Sequence, residues 1–220
     1  MAVFYDRRDA GRQLGIALCD RFGVEGDAVV LGLARGGVVV AAEVSRLLHL
    51  PLEAVVVSKI GAPGDPEVAI GAVGEGGRAV INDAAVRTYR VRAPFLWERV
   101  DAARTAVRRR AAAYRRAGPP DLRGKTAMLV DDGIATGESM EAAIHTVRRW
   151  QAARVVVAAP VAAPEAVTRL REAAEDVVVL DVPLLFVAVS QAYVSFPQVG
   201  DEEVLALLDA PACTPALVNA

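Results

Sequence analysis

Two adjacent carboxylates, Asp131 and Asp132, end an apolar run, Ala127-Met128-Leu129-Val130, and lead into Gly133-Ile134-Ala135-Thr136-Gly137-Glu138-Ser139-Met140. Paired carboxylates at the mouth of a buried strand can accept hydrogen bonds from vicinal hydroxyls or help hold a divalent cation. The residues after them form a glycine turn that carries two hydroxyls, Thr136 and Ser139, and enters Glu141-Ala142-Ala143-Ile144, whose spacing is helical. Ser139 is the expected N-cap of that helix. Free backbone N–H groups at a helix N-terminus favour an anion, typically phosphate. A phosphorylated sugar satisfies both halves at once. The plain alternative is an ordinary strand–turn–helix, which leaves two aspartates at a buried edge without compensation.

A second constellation is Arg35-Gly36-Gly37. Two glycines let backbone approach an anion closely, and an arginine can bind phosphate through two parallel hydrogen bonds. On its own this reads more simply as a glycine turn with a solvated arginine. It is not a dinucleotide fingerprint, because Gly-x-Gly-x-x-Gly is missing. Lys59, one of only two lysines in the chain, follows a third apolar run.

The elements that must position these residues read as alternating strands and helices. Asp9 to Arg21 is amphipathic and stops near Gly23; Ala28 to Leu33 is a buried strand, and a helix follows from Val38 to about Leu48. Leu52 to Ser58 is the next strand, with Lys59 at its end. Gly61 to Gly77, with six glycines and two prolines, predicts a mobile loop or hairpin, in which Gly76-Gly77 turns into Arg78-Ala79-Val80-Ile81. A long helix is predicted from about Pro94 towards Arg116. After the aspartate motif, Arg154 to Pro160 and Asp176 to Leu180 are strands, with a helix from Pro164 between them. Alternation of this kind predicts an α/β fold with a parallel sheet, whose ligands sit at the carboxyl ends of strands. Asp201 to Leu208 reads as a short helix capped by Asp201, followed by a loose Pro/Ala-rich tail.

The chain has 220 residues, is 54% apolar and carries a net charge of −2. That suits one domain, or one domain with a small appendage. The charge gives no global case for nucleic acid or an anionic membrane. Arg108-Arg109-Arg110 and Arg115-Arg116 could touch RNA, but read more simply as a solvated helix face partnered by Glu98 and Asp101. Cys19 and Cys213 lack metal spacing, no run reaches the roughly 18 apolar residues of a membrane span, and the start lacks a signal-peptide core. A reducing cytoplasm is the expected location.

The aspartate stretch closely resembles the phosphoribosyl-pyrophosphate (PRPP) motif of type I phosphoribosyltransferases: four apolar residues, two acidic residues, a few small residues, then Thr-Gly-x-Ser/Thr. The resemblance covers about Ala28 to Leu180. It implies a parallel sheet flanked by helices, Rossmann-like, with a small hood over the acceptor. It implies that Asp131 and Asp132 bind the ribose hydroxyls, that Ala135, Thr136, Gly137, Glu138 and Ser139 wrap the 5′-phosphate, and that Arg35, Gly36, Gly37 and Lys59 serve pyrophosphate. Glu138, a carboxylate inside a phosphate loop, would have to point away from the anion. A flexible catalytic loop is implied near Gly64-Asp65-Pro66-Glu67. The hood matches no motif; Phe186, Tyr193 and Phe196 are its candidates for stacking on an acceptor. Magnesium is implied as cofactor, held mainly by PRPP, with Asp131 or Asp132 as its possible protein contacts, and a homodimer is the family's habit. Relatives acting on 6-oxopurines usually have Asp directly before the Thr-Gly pair, where Ala135 stands; the Ala-Thr-Gly form resembles the adenine and orotate branches. The expected activity is Mg²⁺-dependent transfer of 5-phosphoribosyl from PRPP to a nucleobase-like acceptor, with PRPP or nucleotide binding without turnover as the alternative.

Overall fold

The computed structural model describes residues 3–23, 26–115 and 118–210. The chain runs through α1 (Arg7–Phe22), β1 (Ala28–Ala34), α2 (Gly36–Leu48), β2 (Leu52–Ala62), β3 (Asp65–Gly74) and β4 (Ala79–Ile81). It continues with α3 (Asp83–Thr88), α4 (Ala93–Tyr114), β5 (Thr126–Val130), α5 (Glu138–Arg149), β6 (Arg154–Val161), α6 (Pro164–Ala173), β7 (Asp176–Asp181) and α7 (Asp201–Leu208). The strands form one seven-stranded sheet in the order β4-β3-β2-β1-β5-β6-β7. β2, β1, β5, β6 and β7 are parallel, as the alternation of strands and helices requires; β3 and β4 extend the β2 edge antiparallel.

The central strands are covered on both faces, and side-chain alternation sorts their residues. Val30, Met128, Val130, Val156 and Ala158 pack with Leu14, Leu18, Val40 and Val44 of α1 and α2. Val29, Leu31, Leu129 and Val157 face Met140, Ile144, Val147 and Leu170 of α5 and α6. Removing a side chain of this size from water contributes about 1.5–3 kcal/mol, so the sheet is held mainly by its centre. α1 rests directly on α2: a Cβ on Gly11 would lie 2.7 Å from the Val40 carbonyl oxygen.

The glycine-rich stretch from Gly61 takes the hairpin form expected of it: β2 and β3 pair antiparallel with Gly64 at φ 78° in the turn, and Gly76-Gly77 leads into β4. Other local readings need correction. β2 continues past Ser58, and Lys59 lies within the strand opposite Ala72, not at its end. The N-cap of α5 is Gly137, at φ 88°, and Ser139 lies inside the first turn. α7 is preceded by Gly200, while Asp201 accepts a hydrogen bond from Tyr114 Oη at 2.5 Å. Arg115, read as solvated, is buried against Glu75, the Ala54 carbonyl and the face of Trp150. Arg116, Cys213 and most of the Pro/Ala-rich tail lie outside the described residues. Among the described residues, no helix is long and apolar enough to cross a membrane.

Candidate active site

β1 and β5 are neighbours in the middle of the sheet, with Gly32 beside Val130. The chain leaves β1 towards one edge and leaves β5 towards the other, so the two turns flank the crevice where parallel sheets bind ligands. After β1 the Ala34–Arg35 peptide is cis, and Arg35, exposed, is the N-cap of α2. Gly36 and Gly37 then lie against the aspartate pair. A Cβ on Gly37 would sit 2.7 Å from the Val130 carbonyl oxygen and 2.9 Å from both Asp131 Cα and Oδ1. A Cβ on Gly36 would run into the Asp132 carboxylate and lie 2.9 Å from Arg7 Nε. The obstacles at Gly37 are largely backbone and cannot swing aside. Gly37→Ala should lower the unfolding free energy by about 1–3 kcal/mol through overpacking. Urea unfolding checks this; an unchanged midpoint would show that the turn relaxes around a methyl group.

Asp131 donates its N–H to the Ala158 carbonyl at 3.2 Å, and its Oδ1 accepts the Asp132 N–H at 2.9 Å. Burial, and then the neighbouring charge of Asp132, push its carboxyl well above the usual carboxylate range, with Lys59 pulling the other way. Asp132 Oδ2 pairs with Arg7 Nε at 2.7 Å, and its carbonyl accepts from Tyr193 Oη at 2.5 Å.

The turn that follows is stitched to the end of β6. Ile134 donates to Val161 and Ala163 donates to Ile134, both at 2.9 Å. Gly133 has no room for a side chain beneath Val189. Gly137 turns the chain into α5, whose first-turn N–H groups have no intrahelical acceptor. Thr136 is exposed, Ala135 and Ser139 are half-buried, and Glu138 is 1% exposed. The Glu138 side chain turns inward, where Oε1 accepts from Asn82 Nδ2 at 2.8 Å and from Arg169 at 3.2 Å. Arg169 also donates to the Thr136 carbonyl. A carboxylate in this turn is thus tied off by a cation and an amide and does not face the helix N-terminus.

The three hood aromatics divide. Tyr193 and Phe196 stack on each other at 4.9 Å, Phe4 covers Tyr193 at 5.6 Å, and the Arg7 guanidinium lies 3.7 Å over the Phe196 ring. Both aromatics are occupied by neighbours. Phe186, half-buried, instead lines an open cavity of about 490 Å³ with Ala135, Thr136, Ala163, Ala166 and Val187. The sequence reading missed Arg7, Asn82 and Arg169. Each stands on a helix or cap far from the motif, and nothing in its local pattern marks it.

Among the described residues no three acidic, His or Cys side chains gather as a metal cage. Asp131 and Asp132 are hard oxygen donors of the kind that would help hold a magnesium ion carried on a ligand's phosphates.

Residues 20–194 match the family described as "Phosphoribosyl transferase domain". Two proteins of Mycobacterium tuberculosis strains, both bearing provisional phosphoribosyl transferase names, are 44% identical over 210 residues, covering 95% of this chain. The chain spans about half the length of these relatives, 47%. The crystal structure of TT1426 from Thermus thermophilus is 49% identical, covers 94% of this chain and 98% of its own, and superposes with a TM-score of 0.75. With two glycine turns closing on a strand-end aspartate pair and the family pattern spanning most of the sheet, the chain belongs to the type I phosphoribosyltransferase family.

Proposed function

We propose that the protein transfers 5-phosphoribosyl from PRPP to a nucleobase-like nitrogen acceptor and releases pyrophosphate. The observation that carries this reading is the packing of Gly36 and Gly37 onto Asp131 and Asp132. It brings two helix N-termini, α2 and α5, to either side of one carboxylate pair. PRPP has that charge layout, with pyrophosphate at one end, vicinal hydroxyls in the middle and a 5′-phosphate at the other.

Asp131 and Asp132 accept the ribose hydroxyls and hold C1′ in line between leaving group and acceptor. The first turn of α5, from Ala135 to Ser139, wraps the 5′-phosphate through backbone N–H groups and the Thr136 and Ser139 hydroxyls. Arg35, the N–H groups of Gly36 and Gly37, and Lys59 stabilise the charge that builds on the departing pyrophosphate. Magnesium bound with PRPP would neutralise part of the same charge. The acceptor enters the cavity of Phe186, Val187 and Ala135 and presents its nitrogen to C1′. Cytosolic location fits the free thiol of Cys19, and dimerisation remains the family's usual arrangement.

The deciding experiment is a screen of nucleobases with PRPP and Mg²⁺, read by pyrophosphate release. Turnover with any acceptor supports the enzyme, whereas PRPP binding without turnover across the panel overturns it in favour of a ligand-binding regulator. A second experiment maps the two anion sites. Arg35→Ala should weaken PRPP about tenfold, the loss of one charged hydrogen-bonding group, and leave a nucleoside 5′-monophosphate nearly unaffected. Thr136→Val should weaken both. Equal losses of both ligands in Arg35→Ala would show the two phosphate sites to be misassigned.

A further inference from the structure

Arg7 lies outside the family match, which begins at residue 20, yet it contacts Asp132, Pro197 and Phe196 at once. Its Nε donates to Asp132 Oδ2 at 2.7 Å, and another guanidinium nitrogen donates to the Pro197 carbonyl at 2.7 Å. Its plane lies 3.7 Å over the Phe196 ring, and Gly36 has room for hydrogen alone where it faces this ion pair. The Arg7 side chain is 9% exposed, and that of Asp132 is 15% exposed.

We propose that Arg7 is a positioning residue for the ribose clamp: it fixes Asp132 and fastens the 193–197 segment of the hood to it. This rests on the reading of Asp132 as a ribose-binding group. The alternative role for a cation here is a competitor that swings away when a ribose hydroxyl arrives. The surroundings decide against that. A swinging arginine would abandon the Pro197 carbonyl and the Phe196 face and leave a buried carboxylate uncompensated. Arg7 is also planar and spans two acceptors at once, which a point charge cannot do. It therefore acts as a fixed strut. It occupies Oδ2, and Oδ1 of Asp132 is left to accept a ribose hydroxyl. Tyr193 Oη holds the carbonyl of the same residue, so Asp132 is gripped at both side chain and backbone by the N-terminal helix and the hood.

The test is a double-mutant cycle read by calorimetric titration of PRPP with Mg²⁺ into the full chain, using Arg7→Ala, Asp132→Asn and the double variant. Arg7→Ala should weaken PRPP about tenfold in the wild-type background and less than about twofold in the Asp132→Asn background, because residues in one network do not add. A purely structural role would lower affinity equally in both backgrounds, and that result overturns the proposal, as does wild-type affinity in folded Arg7→Ala. If Arg7→Ala does not fold, Arg7→Lys carries the same cycle. Lysine keeps the charge but cannot span both acceptors. It should lose about threefold in the wild-type background and nothing in the Asp132→Asn background. A lysine variant losing equally in both backgrounds again refutes the idea. Failure of the underlying function looks different: the wild-type protein itself would not bind PRPP, or Asp132→Asn would not weaken it.

Discussion

The Asp131→Asn, Asp132→Asn protein is expected to bind PRPP about 100-fold or more weakly than the wild type while keeping its fold. Charge-assisted hydrogen bonds contribute about 1.5–3 kcal/mol each, and two of them correspond to roughly 10²–10⁴ in affinity. Asparagine preserves shape, and its carbonyl can still take the N–H that Asp131 Oδ1 takes now. Calorimetry with PRPP and Mg²⁺ measures the loss, and unchanged affinity in a folded double variant would remove the pair from the ribose site. Asp131 alone adds a prediction of opposite sign. Its folded-state carboxyl titrates well above the ordinary range because of burial and the charge of Asp132. The stability it contributes is therefore complete below the ordinary carboxylate range and is lost as pH rises through the elevated value. An asparagine at the same position stays neutral throughout. Asp131→Asn should melt higher than wild type at neutral pH, with the gap closing as the solution is acidified. A variant that melts lower at neutral pH would mean that Asp131 is compensated by some other group. Together the two results would mark Asp131 as a residue kept for binding at a cost in stability.

The second large effect is on the choice of acceptor. Hypoxanthine and guanine should be turned over about 10²–10⁴-fold less efficiently than the true acceptor, the range that general-base help supplies. The family resemblance implies that members using 6-oxopurines usually carry a carboxylate where this chain has Ala135, and a methyl group can neither take a proton nor accept a hydrogen bond. Ala135 lines the Phe186 cavity, so the missing carboxylate faces the proposed acceptor. The hood is a poor source of a substitute. From Val182 to Gly200 the only titratable side chain is Tyr193, which is buried, hydrogen-bonded to Asp132 and pushed up by burial and by that aspartate. Glu138, at the cavity edge, is 1% exposed; its Oε1 is held by Asn82 and Arg169, and its Oε2 is buried without a hydrogen-bond partner among the described residues. Exposed Glu165 is the remaining carboxylate on the lining. The measurement compares hypoxanthine, guanine, adenine and orotate at saturating PRPP. Efficient use of hypoxanthine or guanine by the wild type would refute this reading of Ala135. If Glu165→Gln abolished that activity, Glu165 would be the base.

The sheet and its two glycine turns were legible in the sequence because each is written locally. Val29, Leu31, Leu129 and Val157 announce buried strands by composition, and the glycines beside the aspartates announce turns. Lys59 was misplaced because the hairpin lets β2 run on, and strand length depends on the partner strand, which the local pattern does not contain. Ser139 was read as a cap from its residue type, whereas Gly137 wins because the chain needs a left-handed turn there. Arg115 looked like its solvated neighbours since only the tertiary structure brings Glu75 and Trp150 to it. Tyr193 and Phe196 read as candidates to stack on an acceptor because their partners Phe4 and Arg7 lie at the other end of the chain. No periodicity reports a contact of that separation.

That last contact governs when the site can come into being. Phe4 and Tyr193 form a parallel bridge, Phe4 donates to Ala192, and Val194 and Ser195 donate to Phe4 and Tyr5. On a ribosome Phe4 emerges about 190 residues before Tyr193 and waits for it, which at about 5–20 residues per second is an interval of roughly ten seconds or more. The sheet from β1 to β6 can assemble in that interval, but the segment that seats Arg7 and Tyr193 on Asp132 cannot. Contacts of such large sequence separation are slow to make. Newly made protein should therefore acquire a folded core before it acquires a working ribose clamp, and chains stalled before Tyr193 should resist protease yet fail to hold PRPP.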